Sequence, residues 1–205
     1  MIRIVDYGVG NIQAFLTLFK RLGVEAKRAA TPAELADATR LILPGVGHFD
    51  HAMQCLNDSG LRATLEELVF VKKVPIIGIC VGMQMLADSS DEGVLPGLGW
   101  IPGRVRAFTN IPDLAGMPMP HMGWNELAPS SKSSLFDGDL KERPEFYFLH
   151  SYFFDPIDSA DIAAYANYGI DFAAVVSRGH IHGVQCHPEK SHHWGVQLFK
   201  NFIER

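Results

Sequence analysis

Cys80 stands at the centre of Gly78-Ile79-Cys80-Val81-Gly82, a G-x-C-x-G pattern that follows the apolar residues 76–79 and precedes the helix-compatible Met83-Gln84-Met85-Leu86. This is the pattern of a nucleophile elbow with sulfur in place of oxygen. Glycines relieve crowding at a sharp strand-to-helix turn, so the side chain at its apex projects from the C-terminal edge of a sheet. The first-turn amides of the helix then favour a thiolate, and the N–H of Val81 becomes a donor to an oxyanion. A lone cysteine is more often a packed structural residue. Here the context of strand, elbow and helix argues for chemistry, whereas Cys55 lacks that context and reads as packing.

A cysteine nucleophile needs a base and a group that orients the base. Gly183-Val184-Gln185-Cys186-His187-Pro188-Glu189 supplies both. In an extended segment, positions two apart share a face, so His187 and Glu189 lie side by side with Pro188 stiffening the chain between them. Cys186 then points the other way, as a small buried residue. Taken alone, His-Pro-Glu is a weak signal among nine histidines, and its pairing with the elbow is what strengthens it.

Cys80 and His187 are far apart in sequence, so only a fold can bring them together. The first half of the chain alternates short apolar runs with helical patterns, the signature of a parallel sheet with crossover helices. Residues 2–5 read as a strand, followed by Gly8-Val9-Gly10 and a helix over 12–22 that Gly23 ends. After residues 24–28, Thr31 caps and Pro32 opens a second helix. Residues 41–43 form the next strand. The glycine-rich Pro44-Gly45-Val46-Gly47 precedes a helix from Phe49, and residues 61–71 read as an amphipathic helix before Pro75. After Asp91 glycine and proline recur at short intervals, and the runs 105–108 and 146–154, rich in β-branched and aromatic residues, read as mostly antiparallel strands. Residues 173–176, 180–186 and a helix over 194–203 close the chain. The expected architecture is α/β: one domain over residues 1–205, an open mixed sheet with a parallel centre, flanking helices, and antiparallel strands in the C-terminal half.

Composition narrows the function classes. With 205 residues, 47% hydrophobic and 20% charged, the chain can bury a full core and is neither disordered nor membrane-like. A net charge of −5 with no basic run longer than two offers no footprint for nucleic acid. The N-terminal residues are strand-like rather than a signal peptide, and no segment is long enough to span a bilayer. Three cysteines cannot all pair, and a reducing cytoplasm, the expected location, leaves each thiol free. Two patterns are set aside. Gly8-Val9-Gly10 lacks the third glycine of a dinucleotide fingerprint, Gln13 standing in its place. His180, His182, His187, His192 and His193 fit no common zinc spacing, so no metal or cofactor is expected. The aromatic runs read as core and strand-pair residues.

With the elbow and the late His-Pro-Glu both present, the chain resembles the class I, triad-type glutamine amidotransferases over essentially its whole length. More narrowly, five segments are similar, in order, to one branch of that family: Asp6-Tyr7-Gly8-Val9-Gly10-Asn11, Leu43-Pro44-Gly45-Val46-Gly47, His121-Met122-Gly123-Trp124-Asn125, Tyr147-Phe148-Leu149-His150-Ser151-Tyr152 and His187-Pro188-Glu189-Lys190-Ser191. In that branch a glutaminase subunit hands ammonia to a (β/α)8-barrel cyclase subunit, which makes imidazole glycerol phosphate and an aminoimidazole carboxamide ribotide in histidine biosynthesis. The resemblance implies a heterodimer, L-glutamine as substrate, and Cys80, His187 and Glu189 as the triad. It implies an oxyanion strand over residues 44–47 whose amide near Val46 joins that of Val81. It also implies that Gly47, Gln84, Glu92 and the backbone at Ser151 and Tyr152 hold glutamine, with Glu92 pairing the α-ammonium. Lys190, Ser191 and His121 are candidates for the neighbourhood of the partner. Three other readings stand beside this one: the glutaminase subunit of pyridoxal phosphate synthase, a redox sensor of related fold built on Cys80, and a catalytically silent scaffold.

Overall fold

Short apolar segments that alternate with amphipathic helices bury both kinds of surface when the strands lie side by side in a parallel sheet and the helices cover its faces. The computed structural model, which describes residues 1–130 and 133–204, has this arrangement. Strands β1 (Ile2–Val5), β2 (Ala26–Ala29), β3 (Arg40–Gly45) and β4 (Ile76–Cys80) are joined through helices α1 (Ile12–Arg21), α2 (Pro32–Leu35), α3 (Phe49–Asp58) and α4 (Arg62–Glu66). Residues 41–45 and all of β4 are buried, which is why they read as continuous apolar runs. Asn11 caps α1 by accepting from the Ala14 amide, and the buried Phe15 and Phe19 pack edge-on against Phe199. Thr31 and Glu34 form a reciprocal capping box, with Pro32 in the first turn of α2. Residues 61–71 are helical but not uniform: α4 passes into a wider π turn over Glu67–Val71.

Helix α5 (Val81–Gln84) follows β4 directly. The later strands are β5 (Ser89–Ser90), β6 (Gly103–Ala107), β7 (His121–Glu126), β8 (Ala128–Pro129), β9 (Glu145–His150), β10 (Tyr152–Pro156), β11 (Ile162–Asn167), β12 (Asp171–Arg178) and β13 (Ile181–Val184), and α6 (His192–Glu204) closes the chain. The main sheet runs β2-β1-β3-β4-β13-β12-β10-β6-β5, with β11 also pairing β12 and β8. The first five of these strands are mutually parallel, and β12, β10 and β6 are each antiparallel to the strand before. The fold is thus the mixed α/β sheet expected, parallel at its centre and antiparallel in the later half.

The run 146–154 divides between two sheets. Its first part, β9, pairs with β7 in a separate two-stranded sheet, and its second part, β10, pairs with β6 and β12. His150 Nδ1 donates to the Tyr152 carbonyl at 2.8 Å, a local bond across the break at Ser151. Phe108 likewise leaves the strand expected over 105–108 and begins a 3₁₀ turn.

One feature of the topology governs the site. Strand β4 lies between β3 and β13 and is parallel to both, in a register that sets Gly45 beside Cys80 and Val184 beside Ile79. The carboxyl ends of three adjacent parallel strands therefore meet at one edge of the sheet, the usual place for ligands in such folds. Among the described residues, no helix is long and apolar enough to cross a membrane.

Candidate active site

At the end of β4 the chain turns sharply into α5, and Cys80 occupies the turn with φ 55° and ψ −111°. A non-glycine residue held there is strained, and such strain persists only where the surroundings enforce it. The enforcing contacts are between backbones. A Cβ on Gly82 would collide with the Leu43 carbonyl, one on Gly78 with the Gly82 carbonyl, and one on Gly45 with the Gly82 amide. The glycines of the elbow thus do more than relieve the turn: they let β3, β4 and α5 approach to backbone contact, a reason invisible in the spacing alone.

His187 and Glu189 meet as expected but by another route. The chain does not stay extended; Pro188–Lys190 forms a 3₁₀ turn, because proline suits a first helical position and the Lys190 amide donates back to the His187 carbonyl at 3.0 Å. That turn sets His187 Nδ1 2.9 Å from Glu189 Oε1. Both side chains are almost fully buried, at 7% and 4% exposure. Ser191, fully buried, donates from Oγ to the His187 carbonyl at 2.7 Å and accepts from the Tyr147 amide at 3.0 Å, which ties the turn to β9. Burial pulls His187 toward its neutral form, but hydrogen bonding and charge from Cys80 and Glu189 together outweigh it and raise the pKa to about 9. The ring is therefore imidazolium at neutral pH, next to the sulfur. Cys186 is fully buried and its thiol is pushed well up, first by burial and then by the charge of Glu189, so it stays protonated.

A cavity of about 310 Å³, within the size range of small-ligand sites, gathers most of the expected residues. Cys80, Val81 and Gln84 enter from the elbow, Val46 and Gly47 from the loop after β3, and Ser151 and Tyr152 from the break between β9 and β10. Glu92 and His187 line it as well, while Glu189 stands behind His187. A larger hollow of about 570 Å³ between α1 and α6 shares Glu189 and Lys190 with this neighbourhood but contains no cysteine. Glu92 Oε2 accepts from the Phe49 amide at 2.8 Å, so one carboxylate oxygen is already engaged at the start of α3.

Several residues at the site show their contacts only in the structure. Tyr7 is buried and its hydroxyl donates to the Pro44 carbonyl at 2.6 Å, anchoring the start of the 44–47 segment. Gly10, at φ 101°, sits so close that an added Cβ would lie 2.8 Å from Pro44 Cβ. Together they explain why the Asp6-Tyr7-Gly8-Val9-Gly10-Asn11 segment belongs with the site rather than with a nucleotide. His150, which lines the cavity, belongs to a buried histidine pair with His121. Because the Tyr152 carbonyl only accepts, His150 carries its proton on Nδ1; its Nε2 then accepts from His121 Nδ1 at 2.9 Å, and Asn125 Nδ2 donates to His121 Nε2 at 3.2 Å. Burial pushes these pKa values down, to about 3 for His150 and about 4 for His121. Of the three candidates for the neighbourhood of the partner, His121 and Ser191 are buried and Lys190 is exposed.

The five late histidines are dispersed. His180 bonds the Val69 carbonyl, His182 the Ser177 hydroxyl and His187 Glu189, while His192 stacks on Trp124 and His193 lies tilted against Trp194. Among the described residues, no group of three or more His, Cys, Asp or Glu side chains is placed to hold a metal ion.

The family description "Glutamine amidotransferase class-I" matches residues 3–205. A protein of Bdellovibrio bacteriovorus named "Imidazole glycerol phosphate synthase subunit HisH" is 60% identical over 204 residues, covering 100% of both chains. A protein of the same name from Leptospira borgpetersenii is 48% identical over 202 residues, 98% of each. Among solved structures, one described as a glutamine amidotransferase superposes with TM-score 0.75 at 19% identity, covering 99% of this chain and 97% of that one. Another, a glutamine amidotransferase from Thermotoga maritima, has TM-score 0.63 at 17% identity over 99% of this chain and 83% of its own. At these identities the two structures attest a shared fold.

Proposed function

The chain belongs to the class-I glutamine amidotransferase family, and from that premise we propose that it is the glutaminase subunit of an imidazole glycerol phosphate synthase. It is an enzyme that hydrolyses glutamine and works as one subunit of a complex with a cyclase partner. The names of the relatives do not favour the pyridoxal phosphate synthase or sensor readings. The observation that carries the proposal is geometric. A strained Cys80 at the head of α5 faces the same cavity as His187, whose ring is held by Glu189 at 2.9 Å. We read residues 1–205 as one glutamine amidotransferase domain.

The mechanism follows from those three side chains. The Cys80 thiolate attacks the side-chain carbonyl of glutamine; the C–N bond of the resulting tetrahedral adduct breaks as imidazolium His187 gives its proton to the departing nitrogen. Ammonia leaves and a γ-glutamyl thioester remains. His187, now neutral, takes a proton from water, which attacks the thioester and releases glutamate and the thiolate. Glu189 holds Nδ1–H, so that Nε2 is the nitrogen that exchanges protons, and its charge stabilises the imidazolium. In this reading Val81 supplies one oxyanion amide and the segment at Val46 the other, and loss of one such donor costs about 10²–10³ in rate. Gly47, Gln84, Glu92 and the backbone at Ser151 and Tyr152 hold the substrate, with the second oxygen of Glu92 left for its α-ammonium.

Free ammonia is protonated in water, so a biosynthetic glutaminase retains its product only if an acceptor site is docked against it. The acceptor proposed is a (β/α)8-barrel cyclase in a heterodimer, with the 44–47 segment misoriented until that partner binds its ribotide. The test is ammonia release from glutamine by this chain, with and without the cyclase and its ribotide, beside Cys80→Ala. Partner-dependent release abolished by the substitution is the expected result. Release by Cys80→Ala at the wild-type rate overturns the triad, and full turnover by the isolated chain overturns the coupling.

A further inference from the structure

Gln185 is the first residue beyond β13, its backbone N–H donating to the Ala174 carbonyl at 2.8 Å, and its exposure is 0%. A side-chain amide so placed must find its partners inside the protein. Its partners are two residues of the elbow. Gln185 Nε2 donates to Cys80 Sγ at 3.7 Å, and Gln185 Oε1 accepts from Gln84 Nε2 at 3.0 Å. Gln84 Nε2 gives its other hydrogen to the Tyr152 carbonyl at 3.3 Å.

The direction of every bond in this chain is determined. The Tyr152 carbonyl can only accept, so Gln84 must present its nitrogen there; Gln185 must then present its oxygen to Gln84 and its nitrogen to sulfur. Turning the Gln185 amide over would oppose two N–H donors and set a carbonyl oxygen against the nucleophile. With both amide hydrogens spent, Gln84 has only its carbonyl oxygen left to offer the cavity.

We propose that Gln185 is a positioning residue for the nucleophile, whose side-chain N–H steadies the anionic sulfur of Cys80 while its carbonyl fixes the orientation of Gln84. An ionised acceptor strengthens a hydrogen bond, so the contact favours the reactive form of the thiol. The same amide couples the two ends of the site, because a change at residue 185 disturbs both the sulfur and the wall that contacts glutamine. A residue that only filled space would do neither.

The inference rests on Cys80 being the nucleophile, and its test separates the two claims. Gln185→Met keeps length and bulk but removes donor and acceptor; Gln185→Glu keeps the shape and sets a carboxylate against sulfur. Alkylation of Cys80 by iodoacetamide in the full chain, followed by mass spectrometry of the Cys80 peptide, needs neither glutamine nor a partner. The other titratable groups acting with Cys80, namely His187, Tyr7 and Cys186, are the same in all variants. The midpoint of the alkylation rate should move up by about one pH unit in Gln185→Met and further in Gln185→Glu. In the complex, KM for glutamine should rise together with a fall in kcat. If the methionine variant does not fold, the glutamate variant alone decides. Unchanged midpoints in folded variants overturn the inference even if Cys80→Ala remains inactive, whereas an active Cys80→Ala overturns the reading beneath it.

Discussion

Replacing Gly82 by alanine tests whether backbone contact between β3 and α5 holds the nucleophile in place. The added Cβ would collide with the Leu43 carbonyl oxygen, with Leu43 C at 3.0 Å and Pro44 C at 3.3 Å behind it. Overpacking costs about 1–3 kcal/mol when side chains can shift. Here the obstacle is backbone in a strand whose residues Leu41, Ile42 and Leu43 have no exposed surface, so the cost should reach or exceed about 3 kcal/mol. For a chain of this size that corresponds to a fall in Tm of roughly 6–12 °C. A displacement of the elbow by about 1 Å should also lower turnover about 10²-fold at temperatures where the variant is still folded. Thermal unfolding followed by circular dichroism, and glutamine hydrolysis in the assembled complex at 20 °C on the same preparations, read the two effects separately. Gly179→Ala is the control: its φ of 61° carries a strain of about 1–2 kcal/mol, but nothing lies within 4 Å of the new methyl, and activity should persist. A Gly82→Ala protein with the wild-type Tm and full turnover would refute the argument that this contact sets the elbow.

Glu189→Gln should leave the fold intact and lower turnover by about 10⁴-fold, the loss seen when a triad acid is neutralised; steady-state ammonia release would measure it. Because His187 has its pKa raised to about 9, glutaminase activity should fall as pH rises through about 9, and a profile flat to pH 10 would contradict the imidazolium assignment. The buried pair His121 and His150 titrates below the unfolded value near 6.5, so the unfolded chain binds more protons in mildly acid solution and stability must drop as pH falls. Between pH 6.5 and 5 the loss should be about 1.5–2 kcal/mol per histidine, measurable by urea unfolding and smaller in His150→Asn. The stabilisation due to His187 has the opposite sign: it is complete below about 6.5 and vanishes as pH rises through 9, so it does not mask the acid effect. Tyr7→Phe removes the hydroxyl that anchors the Pro44 carbonyl and should cost about 1 kcal/mol of stability by chemical denaturation.

Local sequence sufficed for whatever is governed by neighbours in the chain. The elbow glycines around Cys80, the Thr31 cap with Pro32 behind it, the helix that follows β1 and the unbroken apolar runs of β3 and β4 are all readable, because backbone sterics, capping and burial on both faces of a parallel sheet act over a few residues. The residues proposed for the triad, Cys80, His187 and Glu189, were picked out by type and local context, and Val46, Gly47, Gln84, Glu92, Ser151 and Tyr152 were proposed from resemblance, not from spacing. Tertiary structure decided the rest. Parallel pairing of β4 with both β3 and β13 brings Cys80 to His187, and no local pattern encodes which strands become neighbours. The split of residues 146–154 between two sheets, and the 3₁₀ turn at Pro188 in place of an extended segment, depend on bonds to groups elsewhere: Ser191 with Tyr147 beside the turn, and β6, β7 and β12 beside the strands. Tyr7, His150 and Gln185 stood in the sequence only as members of longer segments, and His121 as a candidate near the partner, because a buried polar side chain acquires its meaning from its partners. Those partners, Pro44 for Tyr7, His150 for His121, and Gln84 and Cys80 for Gln185, lie on other elements, where only the folded chain can set donor against acceptor.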